Sequence, residues 1–196
     1  LCGIAEPTGV DLPSESRGTF PYAEWIEKKE VKWYRGDTVN SSIGQGYVTT
    51  TPLQMACVAS LVANRGTIYQ PHFFRALQEP GRTSPPEVQG AKLSHSVDLP
   101  PEFWRILQSA MVSVIESGTA TRAQIPNLAW GGKTGSSEHQ TGSKTHAWFV
   151  GVAPMNAPKI VVSVVIEGVG HGGEFSAPIG RAVVQHYLFN PDKAAL

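Results

Sequence analysis

The chain has 196 residues, 16 of them basic and 16 acidic, so its formal net charge is zero with histidine neutral. That length suits one domain with a real core, and the balanced charge argues against a nucleic-acid partner or a polyanionic surface. Cys2 and Cys57 lie far apart in unlike contexts and offer neither a zinc ligand set nor a disulfide framework, while no apolar run is long enough to span a bilayer and no signal peptide heads the chain.

Residues 1–35 are irregular and rich in Gly, Pro and Ser. They begin without an initiator methionine, so the expectation is a piece of a longer polypeptide. Glu6-Pro7-Thr8-Gly9-Val10-Asp11-Leu12-Pro13 favours a tight turn before a short extended piece, and Phe20-Pro21-Tyr22-Ala23-Glu24-Trp25 reads as the start of a short helix. Gly44-Gln45-Gly46 is read as a turn that precedes a buried helix. In that helix Thr51 is the capping hydroxyl, Pro52 takes the first helical position and Asn64-Arg65-Gly66 is the stop. Leu53, Ala56, Cys57, Ser60 and Leu61 make one face and Met55, Val58, Ala59 and Val62 another. A helix apolar on nearly all sides is interior, so it is assigned to the core without chemistry, with Cys57 a buried free thiol.

Residues 67–77 read as one or two extended pieces broken at Pro71, with His72 packed or at the surface, and 79–90 as a polar, Pro-rich connection. Pro100-Pro101 opens a second helix over 102–116, ended by Ser117-Gly118. In it Phe103, Ile106, Leu107, Ala110, Met111 and Val114 recur at helical spacing and predict one buried face. The run Ser117-Gly118-Thr119-Ala120-Thr121 has hydroxyls to offer a substrate, and is equally explained as a helix stop followed by a turn.

Next comes Trp130-Gly131-Gly132-Lys133-Thr134-Gly135-Ser136-Ser137-Glu138, with a lysine, three hydroxyls and three glycines in one short run. In an extended segment the hydroxyls of Thr134 and Ser136 share a face, and the glycines leave room for a ligand. A cation beside hydroxyls suits a carboxylate or a phosphate. A phosphate-binding loop needs glycine where this chain has Asn127, a buried strand before it and a helix after it. Ile125-Pro126-Asn127-Leu128-Ala129-Trp130 is not such a strand, and the polar residues 136–144 make a poor helix start. Lys133 and Thr134 point to opposite faces of a regular strand, so both serve one site only if that strand borders a cleft and the lysine stem curls round its edge.

Residues 146–154 and 159–167 read as strands. Both faces of Ile160-Val161-Val162-Ser163-Val164-Val165-Ile166 are apolar, which predicts a central strand covered on both sides. Ser176-Ala177-Pro178 starts the last helix, with Ile179, Ala182, Val183, His186 and Tyr187 as its inward stripe. The sheet then takes its middle strands from this chain, helices on both faces, and at least one further strand from elsewhere. His139 and His146 bracket the turn after the central run and His171 sits in Gly170-His171-Gly172-Gly173, at spacings that fit no common metal site. Glu138 and Glu174 are read as rim residues and Trp148 as core. There are no internal repeats.

Lys133-Thr134-Gly135-Ser136, followed by two strands, a Gly-rich turn and a closing helix, resembles the end of a penicillin-binding transpeptidase domain, where Lys-Thr-Gly accompanies Ser-x-x-Lys and a Ser-Asp-Asn type motif. Gly9-Val10-Asp11-Leu12-Pro13, Trp33-Tyr34-Arg35-Gly36-Asp37-Thr38 and Ser42-Ile43-Gly44-Gln45-Gly46-Tyr47 are similar to class B penicillin-binding proteins of the elongation type. The resemblance implies an α/β (α+β) fold, an antiparallel sheet flanked by helices of the penicillin-binding transpeptidase and serine β-lactamase kind, incomplete in this chain. Residues 1–196 would be the C-terminal portion of a single transpeptidase domain.

By the same resemblance the function is that of a peptidoglycan D,D-transpeptidase in cell elongation and shape maintenance, a serine acyl-transferase acylated by β-lactams. A D,D-carboxypeptidase or β-lactamase relative, or a non-catalytic β-lactam sensor or wall-synthesis scaffold, are the alternatives. Lys133 would supply positive field and help relay a proton, Thr134, Ser136 and Ser137 would bind substrate, Gly135 would leave room for the acyl chain, and the backbone N–H of Ser136 would be an oxyanion donor. No serine is followed three residues later by lysine and no Ser-x-Asn precedes Lys133. The nucleophile is therefore expected in a missing N-terminal part of the same protein, and this chain alone is expected to be inactive. The expected partners are that part, peptidoglycan stem peptides, β-lactams and membrane proteins of an elongation complex, with no nucleic acid, no metal and no cofactor. The implied location is the outer side of the bacterial cytoplasmic membrane.

Overall fold

The structure is a computed structural model in which residues 2–78, 81, 88–138 and 144–190 are described. Its helices are α1 (Ala23–Lys28), α2 (Arg35–Ser42), α3 (Pro52–Ala63), α4 (Pro101–Glu116) and α5 (Ser176–Phe189), with a 3-10 turn at Thr121–Ala123. The strands are β1 (Thr67–Tyr69), β2 (Leu93–Ser96), β3 (Gly131–Ser137), β4 (His146–Ala153) and β5 (Ile160–Ile166). β1 and β2 form an antiparallel pair, and β3, β4 and β5 form an antiparallel sheet in that order.

The long elements follow their sequence signals. Thr51 and Gln54 make a reciprocal capping box at the head of α3, with Pro52 in the first turn, which satisfies backbone donors that a helix start leaves unpaired. Gly66, at φ +107°, closes the helix with its N–H on the Leu61 carbonyl at 2.9 Å. The Gln54 amide also donates to the carbonyls of Glu6 and Arg17, at 2.9 and 2.7 Å, and so ties the irregular first segment to the helix.

The sheet lies between two helical layers. On one side Phe149, fully buried, packs with Trp130 and with Ala177 and Val184 of α5. On the other, Val150, Val152 and Met155 meet Ala59 and Ala63 of α3 and Met111 of α4. The Trp130 and Phe149 rings cross edge to face at 5.7 Å, a geometry worth about 0.5–1.5 kcal/mol beyond the area it buries.

Three expectations change. In α4 the buried residues are Trp104 and Ile115, with Leu107 and Met111 between them, while Phe103, Ile106 and Ala110 are exposed. The bulkier indole takes the core place beside Leu61 and Ile68, and Phe103 is left edge-on against it at 5.7 Å. In α5 the inward residues are Ser176, Ala177, Gly180 and Val184, and Ile179, Val183 and Tyr187 are exposed. The Phe149 ring explains this: a Cβ on Gly180 would lie 2.6 Å from it, so only the small-residue face of α5 fits against the sheet. Finally, β5 is an edge strand and β4 is the central one, six of whose eight residues, Ala147 and Phe149 to Ala153, are buried. The outer edge of β5 has no strand partner among the described residues, in keeping with a sheet that needs a strand from elsewhere. Helix α2 and strand β2 were not anticipated. Most of the 79–90 connection, and His139, lie outside the described residues.

Candidate active site

The site is built along the outer edge of β3. All seven of its residues pair with β4, from Gly131 opposite Val152 to Ser137 opposite His146. Its other edge carries no strand among the described residues. The Ser136 carbonyl accepts from Gln45 Nε2 at 3.0 Å and the Thr134 carbonyl from Lys133 Nζ at 2.6 Å. In an antiparallel ladder one residue's N–H and C=O point to the same side. The N–H of Ser136 therefore opens on the free edge with its carbonyl. Gln45 reaches that edge from the tight turn Gly44-Gln45-Gly46, whose glycines have φ of +78° and +70°.

Side chains alternate across this edge. Thr134 Oγ1 is 2.6 Å from Thr119 Oγ1, and Ser136 Oγ is 3.2 Å from His171 Nδ1. These four residues, with Arg122 and Glu174, line a cleft of about 500 Å³. Its wall is close-fitting because the 172–173 turn lies directly on neighbouring backbone. A Cβ on Gly172 would meet the Trp148 carbonyl at 1.9 Å, and one on Gly173 the Thr119 carbonyl at 2.0 Å.

Lys133, Gly135 and Ser137 belong to the opposite face. Lys133 is exposed, does not line the cleft, and wraps its stem round the edge to the Thr134 carbonyl. Gly135 faces Trp148, and Ser137 Oγ accepts from the Trp148 indole at 3.0 Å. β3 is thus an edge strand bordering a cleft, the condition under which residues 133 and 134 can serve one site. Trp148 is half-buried rather than core. His146 Nδ1 accepts the Gly168 N–H at 3.0 Å and so holds the turn after β5. Glu138 is exposed, and among the described residues no cluster of His, Cys, Asp and Glu could hold a metal ion.

Sequence reasoning missed Arg122, which nothing but its place after a helix stop marks. It also left Thr119 undecided and read Gln45 only as part of a turn. Gln45 and Thr119 meet β3 through contacts distant in sequence, 91 residues separating Gln45 from Ser136 and 15 separating Thr119 from Thr134, and Arg122 reaches the same cleft through a contact with the Glu174 carbonyl.

Residues 2–185 match the family model "Penicillin binding protein transpeptidase domain". The chain is 33% identical to peptidoglycan D,D-transpeptidase MrdA of Acinetobacter baumannii over 97% of its own length and 30% of that protein's. Among solved structures it is similar to the imipenem acyl-enzyme complex of penicillin-binding protein A from M. tuberculosis, with a TM-score of 0.77, 28% identity and coverage of 95% of this chain and 40% of that one. It is also similar to the complex between penicillin-binding protein PBP2 and MreC from Helicobacter pylori, with a TM-score of 0.74, 25% identity and coverage of 96% and 34%. The chain therefore spans about a third of the length of these relatives.

Proposed function

The chain belongs to the penicillin-binding protein transpeptidase family, and on that premise we propose that it is the C-terminal portion of the catalytic domain of a peptidoglycan D,D-transpeptidase. The complete protein would carry its nucleophilic serine upstream of this chain. That serine attacks the carbonyl of a D-alanyl-D-alanine amide: the C–O bond of an acyl-enzyme forms, the C–N bond breaks, and the departing D-alanine amine takes up the proton. An amine of a second stem peptide then attacks the ester, makes the new amide and returns the serine.

In this scheme the Ser136 N–H is one oxyanion donor, a group whose loss typically costs about 2.7–4 kcal/mol of transition-state stabilisation. Thr134 and Ser136 hold substrate from the cleft side, while Ser137, whose hydroxyl accepts from the Trp148 indole on the other face, reaches substrate only if that bond is given up; Gly135 admits the acyl chain beside the strand, and Lys133 supplies positive field and relays the proton to the leaving amine. The observation that carries the reading is the free edge of β3. The Ser136 amide and the Lys133 ammonium reach that edge, while the Thr134 and Ser136 hydroxyls line the adjoining cleft.

Among the described residues no helix is long and apolar enough to cross a membrane. An anchor would lie elsewhere in the protein, which would work on the outer side of the cytoplasmic membrane. The Helicobacter relative is seen with MreC, which supports a membrane-associated elongation partner for this protein too.

The full-length protein tests the proposal. With a fluorescent penicillin it should gain one drug mass on an upstream serine, and with donor and acceptor stem peptides it should release D-alanine and join the two. Absence of any adduct refutes acyl transfer. Release of D-alanine with water as the sole acceptor makes the protein a carboxypeptidase, and labelling without turnover makes it a sensor or scaffold. A drug adduct on the isolated chain 1–196 would overturn the placing of the nucleophile outside it.

A further inference from the structure

Lys133 is directed to the edge of β3, and the cation that lines the cleft itself is Arg122. Its backbone is held on both sides: Ala120 and Ala123 are fully buried, the Ala123 N–H donates to the Ala120 carbonyl at 2.8 Å, and the Trp130 indole donates to the Ala123 carbonyl at 3.1 Å. The guanidinium at this fixed base is almost unused. It makes one long contact, 3.5 Å to the backbone carbonyl of Glu174, and the ion pairs of the described residues, Glu6 with His95 and Glu102 with Arg105, do not include it.

A planar guanidinium has five N–H donors in a fork that matches the two oxygens of a carboxylate. Lining the same cleft are Thr134 and Ser136, whose hydroxyls are bonded to Thr119 and His171. A ligand carboxylate in that cleft would find two hydroxyl donors and a fork of N–H groups lining one space.

We propose that Arg122 is a specificity-determining residue that binds the terminal carboxylate of the D-alanyl-D-alanine donor, and the ring carboxylate of a β-lactam, together with the hydroxyls of Thr134 and Ser136. This rests on the acyl-transferase reading above and adds to it which cation meets the carboxylate. Glu174 lines the same cleft, and its negative charge would oppose the ligand's and moderate its affinity.

The test uses the full-length protein and two probes, benzylpenicillin and its methyl ester, with the dissociation constant resolved from the acylation rate constant. Arg122→Gln should raise the dissociation constant for benzylpenicillin about 10- to 100-fold, the range of a lost charge-assisted bidentate contact, and leave the ester within twofold. Arg122→Lys should recover part of the loss, and Glu174→Gln should tighten the acid and not the ester. Equal losses for acid and ester, or none for either, overturn the assignment. Wild-type protein inert to both probes removes the acyl-transferase reading and this inference with it, a result distinct from an active enzyme indifferent to Arg122→Gln.

Discussion

Gly173→Ala tests whether the cleft wall is set by backbone contact. The added Cβ would stand 2.0 Å from the Thr119 carbonyl, where real Cβ contacts stay beyond 3.0 Å and mostly beyond 3.4 Å. The obstacle is backbone on a buried anchor, since Ala120 beside it is fully buried, so one wall must move by about 1–1.4 Å. Thr119 carries the hydroxyl that meets Thr134 at 2.6 Å, and a shift of that size breaks the pair. Misplacing a binding group by about 1 Å can cost on the order of 100-fold in rate, and overpacking typically costs about 1–3 kcal/mol in stability. Stopped-flow acylation of the full-length protein by a fluorescent penicillin should therefore slow by one to two orders of magnitude, with a lowered denaturant midpoint. Gly36→Ala, which meets nothing within 4 Å and lies in helix α2, is the control: it should leave acylation unchanged and, by helix propensity, not lower the denaturant midpoint. If Gly173→Ala acylates within twofold of wild type at unchanged stability, the wall is soft and the argument from its geometry is wrong.

Gln54→Leu keeps the volume of a side chain that is 1% exposed but removes the capping box and the bonds to Glu6 and Arg17. It should destabilise by roughly 1–3 kcal/mol and make residues 6–17 the first site of limited proteolysis. The N–H groups of Phe73 and then Phe74, each 2.7 Å from Asp11, hold the Asp11 carboxyl below its ordinary value. A depressed folded value means the tie is fully present above about pH 4 and is lost as the pH falls through the lower folded value. Amide shifts of Phe73 and Phe74 should titrate in that acid window, and in Asp11→Asn they should not. Burial, with the nearby charge of Glu15, pushes the Cys57 thiol up, so it should alkylate with iodoacetamide at pH 8 far more slowly in the folded protein than in urea.

The parts of the fold legible in the sequence are those that local chemistry decides. Thr51-Pro52 and Asn64-Arg65-Gly66 mark both ends of α3 because capping is an affair of adjacent residues. Which face of a helix turns inward is not decided locally. Both α4 and α5 carry two overlapping apolar stripes, and the choice between them falls to what lies opposite: a slot that takes Trp104 in one case, and the Phe149 ring that admits only Gly180 and its small neighbours in the other. The strand Ile160–Ile166 read as central because its residues are apolar on both faces, which reports cover by helices above and below and says nothing of what is beside it. At the site the Lys133-Thr134-Gly135-Ser136 run was visible as a motif. Arg122 was not, because a lone arginine after a helix stop acquires meaning only when the 3-10 turn brings it to the face of β3.

The sheet has two open edges among the described residues, and they differ in kind. The edge of β5 adjoins a shallow apolar groove of Ile160, Ala182, Val183, His186 and Tyr187, and among the described residues no side chain from a distant loop is bonded to its backbone. An uncovered edge of that sort invites pairing with any available strand. The edge of β3 is instead occupied at intervals by side chains, Gln45 on Ser136 and Lys133 on Thr134, which engage the carbonyls and leave the Ser136 N–H free. A strand pairing there would have to displace both, and would consume the amide that the chemistry needs. The two edges thus call for different completion: a strand beside β5, and at β3 a nucleophile brought near without a backbone partner, so that substrate itself can lie along the open side.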